Sequence, residues 1–239
     1  MGKTAKDVMK YAISQIGVKE SPAGSNKVKY NTWFYGKEVS GSVYPWCAAF
    51  VSYVFNKVGA SSIFYKGIKT AYCPNIEAWG KEENLIVSKS SGQYGDIVLF
   101  DFSNSGISGH VGFIEKKNGD GTYTTVEGNT GIGNNANGGM VMRRTRSQSC
   151  IRCIIRPKYE AEKPTVVAKP TLKKGNSGKQ VKNLQKNLNY VLGLNLTVDG
   201  EFGTKTAKAV KKFKKKYKLT STTSTYGKKA YAKMKSLIG

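Results

Sequence analysis

Acidic residues are scarce in this chain. Its 239 residues hold 15 Asp and Glu against 39 Lys and Arg, a formal net charge of +24. A surplus of that size calls for a polyanionic partner: nucleic acid, an anionic membrane face or an acidic wall polymer. Histidine is scarcer still, with His110 the only one. Cysteine numbers four: Cys47, Cys73, Cys150 and Cys153. A structural zinc site needs four well-spaced ligands. One C-x-x-C (Cys150, Cys153) and one His do not supply them, so no metal is expected. The CIRCII context reads as a strand, with the two sulfurs on opposite faces and half-buried. No apolar run approaches the roughly 18 residues of a membrane span, so no membrane insertion is expected. The opening MGKTAKDVMKYAISQIG lacks the continuous apolar core and small-residue cleavage site of a secretory signal. The expectation is a chain made in the cytoplasm that leaves, if at all, by another route.

What is present divides unevenly. Residues 171–239 hold 17 Lys against Asp199 and Glu201, a net of +15, while the rest carries +9. Between them, PKYEAEKPTVVAKP holds three of the six Pro and no apolar period, which reads as a linker over 159–170. Three amphipathic helices are expected beyond it. Their stripes run through Val181, Leu184 and Leu188, then Val210, Phe213 and Tyr217, then Ala230, Met234 and Leu237. Phe202-Gly203 and Tyr226-Gly227 start two of these helices alike, a weak internal repeat. The first 158 residues form the larger domain. A helix is expected over 4–16 and an aromatic-rich loop over 17–45. A helix opening at Cys47 and ending near Gly59 follows, then a short helix around Pro74–Trp79. From Gly92 the pattern changes to strands: GDIVLFDF, GHVGFIE, TYTTVEGN, MVMRRTR and CIRCIIRP. A hairpin signal sits in KNGDGTY. Helices followed by an antiparallel meander argue an α+β domain, its sheet packed against the Cys47 helix.

The stretch YPWCAAFVSYVF, Tyr44 to Phe55, carries the chemistry. Pro45 marks a helix boundary, so Cys47 falls in the first turn, where free N–H groups and the helix dipole favour a thiolate. A lone Cys there is otherwise a core residue. A nucleophilic Cys needs a base, and His110 is the sole candidate, at the opening of the GHVGFIE strand. Glu127 and Asn129, two apart on the next strand, share a face in an extended chain. Either can accept the second imidazole N–H and fix its tautomer. Strand-end solvation and turn formation are the ordinary alternatives for the two. Trp33, Tyr44 and Trp46, beside the Cys, either line a groove or pack over the helix.

YPWCAAFVS, GDIVLF, GHVGFIE and VEGN, in that order, resemble the CHAP family of cysteine- and histidine-dependent amidohydrolases and peptidases, over about residues 5 to 157. The resemblance implies a papain-like fold, helices on an antiparallel half-barrel, with Cys47 as nucleophile, His110 as base and Glu127 as its orienting residue. It also implies that Asn129 supports His110 or the oxyanion. LKKGNSGKQVKNLQ and VDGEFGTKTAKAVKKF look like a three-helix peptidoglycan-binding module over 171–239, with Asp199 and Phe202 as candidate contacts to the wall. The second half departs from that pattern, because TSTTST stands where a second D-G is expected. Many CHAP domains carry an Asp-rich calcium loop before the Cys. No Asp lies between Asp7 and Asp96, so calcium is not carried over and no cofactor is expected.

Together the two domains look like a phage endolysin or a bacterial autolysin. The implied reaction is hydrolysis of a peptidoglycan amide, with the N-acetylmuramoyl-L-alanine bond favoured over a bond in the stem peptide or cross-bridge. The partners implied are bacterial peptidoglycan and anionic wall polymers, met at the wall once the membrane is opened. A monomer whose two sites cooperate by proximity is expected. Two other readings stand beside this one. A nucleic-acid-binding protein would use KKFKKKYK, but no motif of nucleic-acid readers accompanies it, and no nucleic acid is expected as partner. A non-catalytic wall-binding protein would keep the fold and lose the reaction.

Overall fold

The computed structural model describes residues 3–194, 196–220 and 223–239. The chain divides into two compact units, one up to Tyr159 and one from Glu160 onward. The first opens on α1 (Ala5–Ser14), whose Thr4 cap accepts a hydrogen bond from the Asp7 N–H at 3.1 Å. A short helix, α2 (Lys29–Tyr35), follows and stops at Gly36 in the left-handed region. The aromatic segment 17–45 is therefore not all loop. KYNTWFY has no helical apolar period and no capping side chain at Val28, so neither usual signal announced it. Packing supplies the missing stability, because Tyr30 and Asn31 are buried in it.

Next comes α3 (Cys47–Lys57), buried without interruption from Cys47 to Phe55. A helix apolar all round belongs in a core, and this one has protein on every side. Tyr30 meets Phe50 and Tyr53 edge-on at 5.1 Å. Phe50 and Phe55 reach Phe113 of the sheet at 6.2 and 5.9 Å. Gly128 lies beneath Phe50, where a Cβ would stand 2.7 Å from the Phe50 Cβ. Its missing side chain lets helix and sheet approach. The helix α4 (Cys73–Glu82) has Pro74 in its first turn, where the lost N–H has no partner to lose.

Six strands complete the unit: β1 (Ile86–Val87), β2 (Ile97–Phe100), β3 (His110–Lys117), β4 (Tyr123–Thr130), β5 (Met140–Arg146) and β6 (Ile151–Ile155). They form one sheet in the order β1-β6-β2-β3-β4-β5, antiparallel at every pair. β2 to β5 are the expected meander, and β6 returns to pair with β2. The sheet has two apolar faces. Leu99, Val111, Phe113 and Val126 join the helices. Val98, Phe100, Ile114, Tyr123, Ile151 and Ile154 form a smaller cluster. Tyr159 closes the unit, its hydroxyl donating to the Gly95 carbonyl at 2.6 Å and its ring stacked 6.3 Å from Phe55.

The second unit is built from α5 (Lys179–Leu192), α6 (Thr204–Lys216) and α7 (Lys228–Ile238). Val181, Leu184, Leu188, Val210, Phe213 and Met234 fill its core. The internal repeat has a structural counterpart: α6 and α7 both start from an extended glycine, Gly203 and Gly227, behind a buried aromatic. Part of the stretch read as linker is docked here. Ala168 is buried, its N–H donates to Asn187 Oδ1 at 2.8 Å, and Asn187 Nδ2 donates to the Val166 carbonyl at 3.0 Å. Ser221 and Thr222 of TSTTST lie outside the described residues.

Candidate active site

His110 is the first residue of β3 and is wholly buried. Its Nε2 lies 3.0 Å from Glu127 Oε2 on β4. The register explains how this pair meets. Glu127 stands opposite Gly112, two residues along from His110 on the same face. A Cβ on Gly112 would lie 2.5 Å from the Glu127 Cγ, so glycine there lets the carboxylate cross β3 to the imidazole.

Glu127 is also wholly buried, yet its two oxygens are fully engaged. Arg146 of β5 donates from Nε to Oε1 at 2.9 Å and from Nη2 to Oε2 at 2.6 Å. Thr125 Oγ1 donates to Oε1 at 2.5 Å. The Arg146 guanidinium lies over Phe102 at 4.8 Å and Phe100 at 5.4 Å, both rings also flanking His110. Burial pushes the carboxyl's pKa up, but the bonds from Arg146 and His110 outweigh it and bring it down to about 2. An ionised carboxylate can only accept, so Nε2 carries a hydrogen and Nδ1 is the nitrogen left for proton transfer. That Nδ1 is buried and has no hydrogen-bond partner.

Cys47, the first residue of α3, is the other group that acts on the imidazole. Burial alone would lower the His110 pKa, but the interactions with Cys47 and then Glu127 raise it to about 9. The thiol shifts the opposite way, well below its ordinary value. A hydrogen bond with Cys73 is the largest cause, opposed by burial and reinforced by His110 and the Ala48 N–H. The pair therefore favours thiolate and imidazolium at neutral pH. Such an arrangement can attack an acyl carbon and hand a proton to the leaving group.

Asn129 goes elsewhere. A register irregularity between Glu127 and Thr130 and a left-handed backbone (φ 57°) turn it away from the face that Glu127 uses. Its Nδ2 donates to Asn137 Oδ1 at 3.1 Å and its Oδ1 accepts from the Gly139 N–H at 3.3 Å. The side chain holds the loop before β5 rather than His110. Two expected substrate contacts are also corrected. Trp46 is fully buried and stacked on Tyr30 at 5.3 Å. Phe202 lies in the core of the second unit. Neither reaches a ligand, because each fills an interior. Trp33 is half-buried, edge-on to Tyr53 at 5.3 Å. Tyr44 is half-buried beside Tyr35, with ring centres 5.1 Å apart. Asp199 is exposed and shapes its own turn, accepting from Gln185 Nε2 at 2.6 Å and the Glu201 N–H at 2.8 Å.

Arg146 and Cys73 belong to the site and were missed in the sequence. A signal existed for Arg146, because a carboxylate buried beside a His needs a cation and the neighbouring strand MVMRRTR offers three. None existed for Cys73, 26 residues from Cys47 and joined to it only by folding. Among the described residues no group of three or more His, Cys, Asp or Glu is placed to hold a metal ion. No helix among them is long and apolar enough to cross a membrane.

Comparison with known proteins bears on both units. A family model described as CHAP domain matches residues 39–129. A model described as putative peptidoglycan binding domain matches residues 177–234. No curated protein matches the chain. Among solved structures, one titled the crystal structure of Ly7917 is 18% identical, with 64% of this chain and 62% of that one covered and a TM-score of 0.40. The same protein with the hydrolyzing product of MDP is 20% identical over 64% and 63%, with a TM-score of 0.39. The chain thus spans under two thirds of the Ly7917 chains. A peptidoglycan-binding protein from Clostridioides difficile, in complex with glutamine hydroxamate, is 26% identical over 54% and 72%, with a TM-score of 0.29.

Proposed function

We propose that this chain, which matches a CHAP domain over residues 39–129 and a peptidoglycan-binding domain over 177–234, is a cysteine-dependent peptidoglycan hydrolase acting at the bacterial cell wall. The first unit, up to Tyr159, carries catalysis, and the second, from Glu160 onward, holds the enzyme on the wall. The observation that carries this reading is the buried His110–Glu127–Arg146 chain ending at Cys47.

In this reading the Cys47 thiolate attacks an amide carbonyl of the wall peptide. As the first residue of α3, Cys47 has a backbone N–H without an intrahelical partner, which in this reading helps to stabilise the oxyanion. One such donor is typically worth roughly 3–4 kcal/mol. The His110 imidazolium gives its Nδ1 proton to the leaving amine, the C–N bond breaks and a thioester remains. His110, now neutral, takes a proton from water as the water attacks the thioester. The acid leaves and the thiolate returns. Glu127 and Arg146 hold the ring throughout.

The bond we favour is the lactyl-amide between N-acetylmuramate and L-alanine. The new chain ends left after digestion of purified wall test this. A free N-terminal Ala is expected, and a free Gly or other bridge amine would instead assign an endopeptidase of the stem or cross-bridge. An endolysin-type role in host lysis accords with joining a lytic to a wall-anchoring domain. Expression inside a Gram-positive cell should lyse it only once its membrane is permeabilised. Anionic wall polymers are the proposed partner of the Lys-rich second unit. Binding of the whole chain to walls with and without their teichoic acids checks this, and equal binding would remove it.

A further inference from the structure

Cys47 and Cys73 are the first residues of α3 and α4. Both are buried, and their sulfurs lie 3.7 Å apart. The contact is braced from behind. Ser52 of α3 donates to the Thr70 carbonyl at 2.7 Å and accepts from the Thr70 N–H at 3.0 Å. Thr70 Oγ1 in turn accepts from the Tyr72 N–H at 3.2 Å and Asn75 Nδ2 at 3.3 Å. The segment leading into Cys73 is thereby fixed to the helix that carries Cys47. The other cysteines are placed differently, with Cys150 Sγ set against the Ser147 carbonyl at 3.1 Å.

We propose that Cys73 is the resolving thiol of Cys47: a hydroperoxide converts the pair to a Cys47–Cys73 disulfide, which a dithiol reopens. A disulfide needs its sulfurs about 2.05 Å apart, so the 3.7 Å contact must still shorten for the bond to close. The two thiols have opposite roles. Cys47, beside His110, is the thiolate. Its hydrogen bond with Cys47 and then burial push the Cys73 thiol well up, so Cys73 keeps its proton and donates it to the thiolate.

The chemistry balances in two steps. The Cys47 thiolate attacks the peroxide oxygen and the O–O bond breaks. The alkoxide leaves with a proton from His110, giving a sulfenic acid and an alcohol, or water from hydrogen peroxide. Sulfur is oxidised by two electrons and the peroxide reduced by two. Cys73 sulfur then attacks the sulfenic sulfur. The S–O bond breaks, and the departing hydroxide takes the Cys73 proton as water. A dithiol returns both thiols. The effect on wall hydrolysis rests on Cys47 being the nucleophile, as proposed above; the cross-link itself does not.

The test treats the full-length protein with hydrogen peroxide and maps its cysteines by mass spectrometry without prior reduction. A linked peptide holding Cys47 and Cys73 is expected, with wall clearance lost and then restored by dithiothreitol. Cys73→Ser and Cys73→Ala, each checked for folding by circular dichroism, should instead take Cys47 on to the sulfinic acid, and their loss should not reverse. The proposal is overturned if the wild type yields sulfinic acid at Cys47 and no linked peptide, or if both Cys73 variants recover as fully as the wild type. The two readings fail separately. A linked peptide without loss of clearance leaves the thiol pair standing and removes Cys47 as nucleophile. No linked peptide, in a protein that Cys47→Ala silences, does the reverse.

Discussion

The two units handle charge in opposite ways. In the first, His110, Glu127 and Arg146 are buried together, and each ionised group is matched by another. In the second, Lys205, Lys208, Lys211, Lys212 and Lys215 stand exposed along α6, over a core of Val210, Phe213 and Met234. A buried charge that loses its partner is stranded away from water, so every member of the first set is irreplaceable in place. A surface Lys is solvated either way, and what counts is the sum of the field. The proposed chemistry depends on one intact cluster, whereas the proposed adhesion draws on charge spread over a face.

The sharpest break in this contrast is Cys47→Ala. It should lower wall hydrolysis by on the order of 10^4-fold or more while the protein still sediments with walls; retained clearance would sink the nucleophile. Arg146→Met comes next, since it leaves Glu127 buried without its cation. Removing one partner of a buried pair costs about 3–5 kcal/mol, to be read from denaturant midpoints, and activity should fall with it. The third test is pH. Cys47 is held low and His110 is raised to about 9, so the thiolate–imidazolium pair persists at neutral pH and is lost as pH rises through about 9. kcat/KM should show an alkaline limb there, moved to lower pH in Glu127→Gln. Stability follows the same signs. The His110 contribution is full below 6.5 and lost as pH rises through about 9. The Glu127 contribution is full above 4.5 and lost as pH falls towards about 2. Gly112→Ala should part the imidazole from Glu127, lowering activity more than any exposed substitution. The smallest effect belongs to the second unit. Lys208→Gln and Lys211→Gln should each change stability by within about 0.5 kcal/mol and weaken wall binding mainly at low salt.

The same contrast explains what the sequence made legible. Strands with alternating apolar residues and helices with a stripe declare themselves locally, so β2 to β6 and α5 to α7 fall where periodicity puts them. Cys47 opening a helix and His110 opening a strand are also local facts. Asn129 misled because a strand-face argument assumes regular pleating, and the chain leaves it two residues after Glu127. Trp46 and Phe202 misled because an aromatic looks alike in sequence whether it lines a groove or fills a core. Arg146, Cys73 and α2 owe their places to tertiary contacts, which no spacing records.

Tyr159 has a practical consequence for anyone dividing the protein. It follows the last strand by four residues and looks like the start of a dispensable tether, yet its ring and hydroxyl plug the first unit beside Phe55 and Gly95. A fragment cut at the end of β6 would expose that seat to water. The cut belongs after Tyr159, and the tether between the units is shorter by the stretch around Val166 and Ala168 that the second unit holds through Asn187.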